Sequence, residues 1–484
     1  MGDDFSTTSV ARLVEGFRSR AFSPVDVAAA MLDRIERFNP RLNAFTSVDA
    51  EGALASARRS EERWQRGQPL GALDGVPVTV KELLAAQGWP LRRCSRATPE
   101  NATADYDAPC VARLREQGAV LLGKTNSPEF GWKGVTDNLL YGTTRNPWDT
   151  TRTAGGSSGG AAVAAALGMG TLHLGTDGGG SIRIPAAFTG VFGLKPTYGR
   201  VPMYPPSNFG TLSHVGPMAR TAEDAAYMLR ALAQRDARDY RALPVENIDY
   251  VAQQREPISE LRIAYSPTLG FARVDREIAD IVSRAARVFE ELGARVEEVD
   301  RIMDDPTDTF RTLWSSGLAL TLRGFPREAR RVMDPGLVAL AEIGETTDHL
   351  VYMEAEYARG PLGAKMNAFH ERYDLLLTPA EPVAALPANQ QTAERRQRDW
   401  IDWTPFTFPF NLTGQPAASI PCGLTAAGLP VGLQVVGGHG RDDLVLRACA
   451  AFERVCPAAV IGEAKAAPVP FNLDYISSYT ANNP

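Results

Sequence analysis

Over the first 66 residues the apolar positions recur three and four apart. Val25, Val27, Ala28, Met31 and Ile35 follow a Ser23-Pro24 start signal, which predicts helices through residues 7–66. A further helix is predicted over Val48 to Arg66, with Arg58, Arg59, Glu61 and Glu62 on its solvated face. The period then drops to two. Leu73 to Lys81 alternates and carries β-branched residues, so it predicts a strand ending on a lysine. Ala108 to Gln117 reads as a helix, Val120 to Leu122 as a strand, and Lys124 to Glu129 as a loop. Ala161 to Leu167 is a run of good helix formers, followed by a short strand from Thr171 to Leu174. Later come a helix from Thr221 to Gln234 and a strand-helix-strand unit: Arg262 to Tyr265, Asp275 to Leu292, Arg295 to Val299. That order implies parallel pairing. Residues 303–372 read as mostly helical, Leu375 to Pro379 as a buried strand, and Ala388 to Arg398 as polar and exposed. The tail predicts strands Ala417 to Pro421 and Val431 to Val436 and a helix Asp442 to Val455.

Helices and strands alternate throughout, with no internal repeat and no linker rich enough in Gly, Ser or Pro to divide the chain. One large α/β domain spanning 1–484 is the expected architecture. Composition agrees: 44% hydrophobic and 22% charged residues suffice for a large core. A net charge of −6 supplies no basic footprint and argues against a nucleic-acid partner. The start, Met1-Gly2-Asp3-Asp4, is acidic and has no apolar stretch of a secretory signal. The longest apolar run is far too short for a membrane span. Five scattered cysteines without a C-x-x-C pair suit reduced thiols in a cytoplasm, and the five histidines show no ligand spacing, so no metal is expected.

Two clusters break this ordinary background: Gly155-Gly156-Ser157-Ser158-Gly159-Gly160 and Thr176-Asp177-Gly178-Gly179-Gly180-Ser181-Ile182-Arg183. A phosphate cradle would need G-x-x-x-x-G-K-[ST], and no lysine follows Gly160. A nucleophile elbow, G-x-S-x-G with Ser157 as nucleophile, matches in letters. It should follow a buried strand, yet Asn146 to Arg152 is polar and turn-like. The third reading is a serine activated by a lysine whose ammonium form is disfavoured by burial. The backbone N–H groups of Gly178, Gly179, Gly180 and Ser181 would then converge on a developing oxyanion, unobstructed by side chains.

With Lys81, these two clusters resemble the amidase signature family. Ser157 and Ser181 stand 24 residues apart, as in that family. The likeness continues through Gly193-Leu194-Lys195-Pro196-Thr197, Asn411 to Pro416 and Gly428 to Gln434. The resemblance implies a large mixed, twisted β-sheet covered by helices on both faces. It implies an N-terminal helical part (1–66), a catalytic core (67–235) and a variable substrate-pocket region (300–410), with no cofactor. It implies Ser181 as nucleophile, Ser157 as a bridging serine on a cis peptide, and Lys81 as neutral base. It further implies Ser158 and Asp177 flanking that network and Arg183 ordering it. Gly131 falls where the family lines its acyl pocket.

There are two departures. Glu82 follows the lysine where the family often has Asp, which keeps the base and alters its support. Gly178 precedes Gly-Gly-Ser where a β-branched residue is common, which predicts a more pliable oxyanion loop. The expected activity is hydrolysis of a carboxylic amide, carried out by a monomer or homodimer. Trp132, Tyr141 and Phe209 lean toward aryl or other bulky groups, including anilides, carbamates and esters, although core packing explains them equally well. The alternative is the amidase subunit of a glutamyl-tRNA(Gln) amidotransferase.

Overall fold

The computed structural model describes residues 4–459, positions 300 and 395 apart. Met1 to Asp3, read above for a signal, and residues 460–484 of the expected domain lie outside the described residues.

The N-terminal helices are α1 (Val10–Ser19), α2 (Pro24–Leu42) and α3 (Ala50–Gln65). Ser23 starts α2 with a capping box: its hydroxyl accepts the Asp26 N–H, and the Asp26 carboxylate accepts the Ser23 N–H. Between α2 and α3 lies β1 (Phe45–Val48), which helical spacing did not predict. Four residues are too few to show a period, and tertiary pairing with another strand decides their conformation.

The remaining strands are β2 (Pro77–Lys81), β3 (Val120–Thr125), β4 (Leu172–Asp177), β5 (Phe192–Lys195), β6 (His214–Ala219), β7 (Arg262–Tyr265), β8 (Arg295–Glu298), β9 (Leu375–Pro379), β10 (Ala417–Leu424) and β11 (Pro430–Gly437). All eleven join one sheet in the order β1-β3-β2-β4-β6-β5-β10-β11-β9-β7-β8. It is mixed: β2 runs parallel to β3 and β4, whereas β6 is antiparallel to β4 and β5. The predicted strand-helix-strand unit is present, with β7 parallel to β8.

Besides β1, several strands differ from expectation: β4 runs on to Asp177 and β10 to Leu424, and β5 was not predicted. β2 begins at Pro77 rather than Leu73, because the buried Asp74 accepts from Arg63 and from the Leu70 N–H and holds a turn there. β3 runs on through Lys124 and Thr125, which read as loop in the sequence. β6 was unforeseen because Gly216 and Pro217 look like breakers; Pro217 nevertheless stands opposite Leu174 inside the sheet.

The flanking helices are α4 (Pro109–Glu116), α5 (Gly159–Ala166), α6 (Arg183–Thr189), α7 (Ala222–Leu232), α8 (Tyr250–Gln253), α9 (Arg276–Glu291), α10 (Thr307–Arg323), α11 (Pro335–Thr346), α12 (His349–Arg372), α13 (Pro409–Leu412) and α14 (Asp442–Val455). Residues 303–372 are helical as expected, in α10 to α12, and α14 occupies its predicted span. The main core lies between sheet and helices. A second, aromatic core joins Phe130 and Trp132 to Phe310, Trp314, Trp400 and Trp403. Among the described residues no helix is long and apolar enough to cross a membrane.

Candidate active site

The sheet explains how residues 76 and 100 positions apart from Lys81 come near it. β2 and β4 are parallel neighbours, with Val80 beside Leu174, so Lys81 and Asp177 end their strands at the same edge. Carboxyl ends of parallel strands are where open α/β sheets leave a crevice. The first Gly/Ser cluster runs into α5 and the second into α6, and these helices pack together. The Ser158 N–H donates to the Ser181 carbonyl at 3.0 Å, tying the two clusters to each other. The Gly156-Ser157 peptide is cis.

Lys81 is fully buried, and its Nζ lies 2.7 Å from Ser157 Oγ, 2.9 Å from Ser158 Oγ and 2.9 Å from Thr176 Oγ1. Among the described residues no carboxylate touches it; burial pulls its pKa down to about 7, against a partial upward pull from Asp177. The proton inventory follows. The Ser158 hydroxyl donates to the Thr176 carbonyl and accepts the Thr176 N–H, so toward Lys81 it is an acceptor. A neutral amine can then donate to Ser158 and Thr176 and turn its lone pair to the Ser157 hydroxyl proton. That is the arrangement of a base. Glu82, the departure after Lys81, does not join this set. Its carboxylate accepts the Arg92 N–H at 2.7 Å, and burial raises its pKa to about 7 against the pull of Lys124.

The second cluster is built on a buried ion pair. Arg183 grips Asp177 with Nε to Oδ2 at 3.0 Å and Nη2 to Oδ1 at 2.9 Å, both side chains being fully buried. Burial alone would raise the Asp177 carboxyl; Arg183, Lys195 and Asn411 hold it far below the usual carboxylate range. Asp177 in turn accepts the N–H groups of Gly180 at 2.8 Å and Ile182 at 3.2 Å. The Gly180 N–H, expected among the oxyanion donors, is thus engaged by Asp177. Gly178, Gly179 and Ser181 donate no backbone hydrogen bond among the described residues.

The loop expected to be pliable is packed from outside. Thr407 Oγ1 donates to the Gly179 carbonyl at 2.8 Å, and a Cβ on Gly178 would come 2.9 Å from the Trp314 ring. The glycine at 178 makes room for that tryptophan, where a β-branched side chain would collide.

Gly131 does lie beside the serines. Its φ is +74°, and a Cβ there would stand 3.3 Å from Ser157 Oγ and 2.7 Å from Leu83. The structure also brings in residues that sequence reading missed. Thr176 is the third partner of Lys81. Asn411 and Gln434 fix the Arg183 guanidinium at 2.7 and 2.8 Å. Both lay in segments quoted for the family likeness, the one signal that pointed to them. Phe310 and Trp400 press on Gly179, where a Cβ would come within 2.6 and 3.0 Å of them. Phe209 stacks on Trp314 with centroids 4.0 Å apart. Of the aromatics suspected from sequence, Phe209 and Trp132 belong to this cluster and Tyr141 does not. Among the described residues no group of three or more His, Cys, Asp or Glu is placed to hold a metal ion.

Residues 26–446 match the family model described as Amidase. The chain belongs to the amidase family. It is a hydrolase of carbon-nitrogen bonds in linear amides. An acylamidase of Rhodococcus erythropolis is 37% identical over 93% of this chain and 95% of its own length. A glutamyl-tRNA(Gln) amidotransferase subunit of Syntrophobacter fumaroxidans is likewise 37% identical, over 90% and 94%. Among solved structures, a bacterial aryl acylamidase of the amidase signature enzymes superposes with a TM-score of 0.87 at 33% identity, covering 93% of this amidase and 96% of that chain. The 6-aminohexanoate cyclic dimer hydrolase, solved with its substrate, follows at 0.85 and 27%, covering 94% and 98%.

Proposed function

We propose that this amidase cleaves amides bearing a flat aromatic group, through an acyl-enzyme on Ser181. The observation that carries the chemistry is the buried, hydroxyl-lined Lys81. The neutral amine takes the Ser157 proton while Ser157 takes that of Ser181, and Ser181 Oγ attacks the carbonyl carbon. The oxyanion falls to the free N–H groups of Gly178, Gly179 and Ser181. On collapse the C–N bond breaks, and the amine leaves with the proton returned from Lys81 through Ser157. Water then attacks the ester, gives its proton to the same relay, and the carboxylic acid departs.

The substrate reading rests on the wall next to the oxyanion glycines. Trp314, Phe310 and Trp400 are buried against these glycines and pack on one another, and half-buried Phe209, stacked on Trp314, is the member with surface left for an aryl ring of the acyl group or of the amine. A glutamine side chain would find little there, which favours a stand-alone hydrolase over a component of an amidotransferase, despite the amidotransferase relatives. Five unpaired cysteines suit a cytoplasmic enzyme.

The test is turnover of anilides, phenyl carbamates, aliphatic amides and glutamine by the lone chain. Anilide hydrolysis abolished by Ser181→Ala is expected. Phe209→Ala should lower kcat/KM for anilides by about 10-fold, through loss of one stacked aromatic contact, and leave small aliphatic amides nearly unchanged. Glutamine as the preferred substrate, and only with a second protein chain present, would overturn the reading.

A further inference from the structure

Helix α12 is apolar on two opposite faces, a pattern expected of a helix covered on both sides. Toward the body it presents Ala355, Leu362, Met366 and Phe369, and Arg359 anchors it by donating to the Leu412 carbonyl and to Glu356. Outward it presents Leu350, Met353, Tyr357, Pro361, Ala364 and Ala368, which recur at helical spacing with no charge among them. These are not marginal exposures: Leu350 is 67%, Met353 51% and Tyr357 78% exposed. The stripe extends about 27 Å at the helical rise. Single exposed apolar residues are ordinary, but a continuous stripe of this length marks an interaction surface.

The stripe is also graded in size. Its N-terminal half carries the bulky side chains and its C-terminal half the small ones, and a Cβ added at Gly360 or Gly363 would meet nothing within 4 Å. We propose that the occupant of this face is a second copy of the chain, its α12 packed antiparallel about a twofold axis near Arg359 and Gly360. Such a pairing sets Leu350 against Ala368 and Tyr357 against Pro361, and the same contacts recur on the other side of the axis, as an isologous interface requires. Leu350 and Tyr357 meet small side chains, and Met353 lies along the aliphatic stem of Lys365. Charge follows the same rule: exposed Glu354 of each copy comes beside exposed Lys365 of the other. Parallel packing would oppose bulk to bulk and like charge to like charge.

Sedimentation of the full chain at micromolar concentration should show a dimer. The double variant L350D/Y357D should raise the dimer dissociation constant at least about 30-fold, the effect of losing one interface hot spot. Its circular dichroism and anilide turnover by the monomer should be retained, since neither residue touches the site. E354K and K365E should each weaken the dimer, and the pair of changes combined should restore it. A monomeric wild type overturns the proposal. So does a dimer indifferent to L350D/Y357D, or binding of the wild type to anionic lipid vesicles while it stays monomeric in solution, which would assign the stripe to a membrane surface.

Discussion

Two lysines of this amidase, both fully buried, sit on either side of the Gly131 turn and have opposite characters. Lys81 is surrounded by three hydroxyl oxygens, and burial lowers it to about 7. Lys133 meets two carboxylates, Asp334 at 2.8 Å and Asp137 closer still. Burial opposes its charge as well, but the two carboxylates outweigh that and hold it well above the ordinary lysine range. Depth therefore does not decide what a buried lysine is; its partners do. Hydroxyls serve a neutral amine as well as an ammonium, whereas carboxylates stabilise only the cation. The first pocket has the character of a base. The second is a clamp. Asp334 starts α11, and its N–H donates to Glu129 at 2.6 Å, so the Lys133 cluster ties the loop beside Ser157 to the α10–α11 layer.

The contrast can be broken in three ways. Lys81→Ala should cost the most, about 10⁴-fold or more in kcat at neutral pH, the scale of removing a member of a nucleophile-base unit. Single-turnover kinetics check it, and wild-type rates in that variant would remove Lys81 from the mechanism. Lys133→Met should leave Asp334 and Asp137 buried with no cation. The expected loss is about 3–5 kcal/mol of stability, read from the denaturant midpoint. The midpoint of the pH–rate profile should stay in place, because the clamp does not touch Lys81.

The smallest effect sharpens the comparison most. Wild-type kcat/KM should rise with pH through about 7, since only neutral Lys81 accepts a proton. Thr176→Asp places a carboxylate in the Lys81 pocket and gives it the character of the Lys133 pocket. It should move that midpoint up by about 1–2 units. An unmoved midpoint would show that another group sets the profile.

Much of this was legible from residues alone. The period change before Lys81, the glycine-serine clusters and their separation predicted the strand end, the loops and the helix α5 of the proposed centre, whereas α6 was not foreseen. Elements with a strong local signal also came through, among them α14, capped α2 and the β7–β8 unit. What escaped reading depends on partners distant in the chain. β1 and β6 are strands because neighbours pair with them, against a short length in one case and a Gly-Pro pair in the other. Thr176 looks like any strand threonine until β4 lies beside β2. The Gly180 N–H seemed free until Asp177 was seen to accept it.

The sequence by itself determined the components of the proposed centre, because their chemistry depends on residue type and on short-range spacing: small residues where backbones crowd, serines among glycines, a carboxylate six positions before an arginine. Only the tertiary structure decided which N–H groups stay free, which aromatics stand against Gly178 and Gly179, and what surrounds each of two buried lysines. Those are matters of distance and dielectric between segments far apart in the chain. No local pattern encodes them.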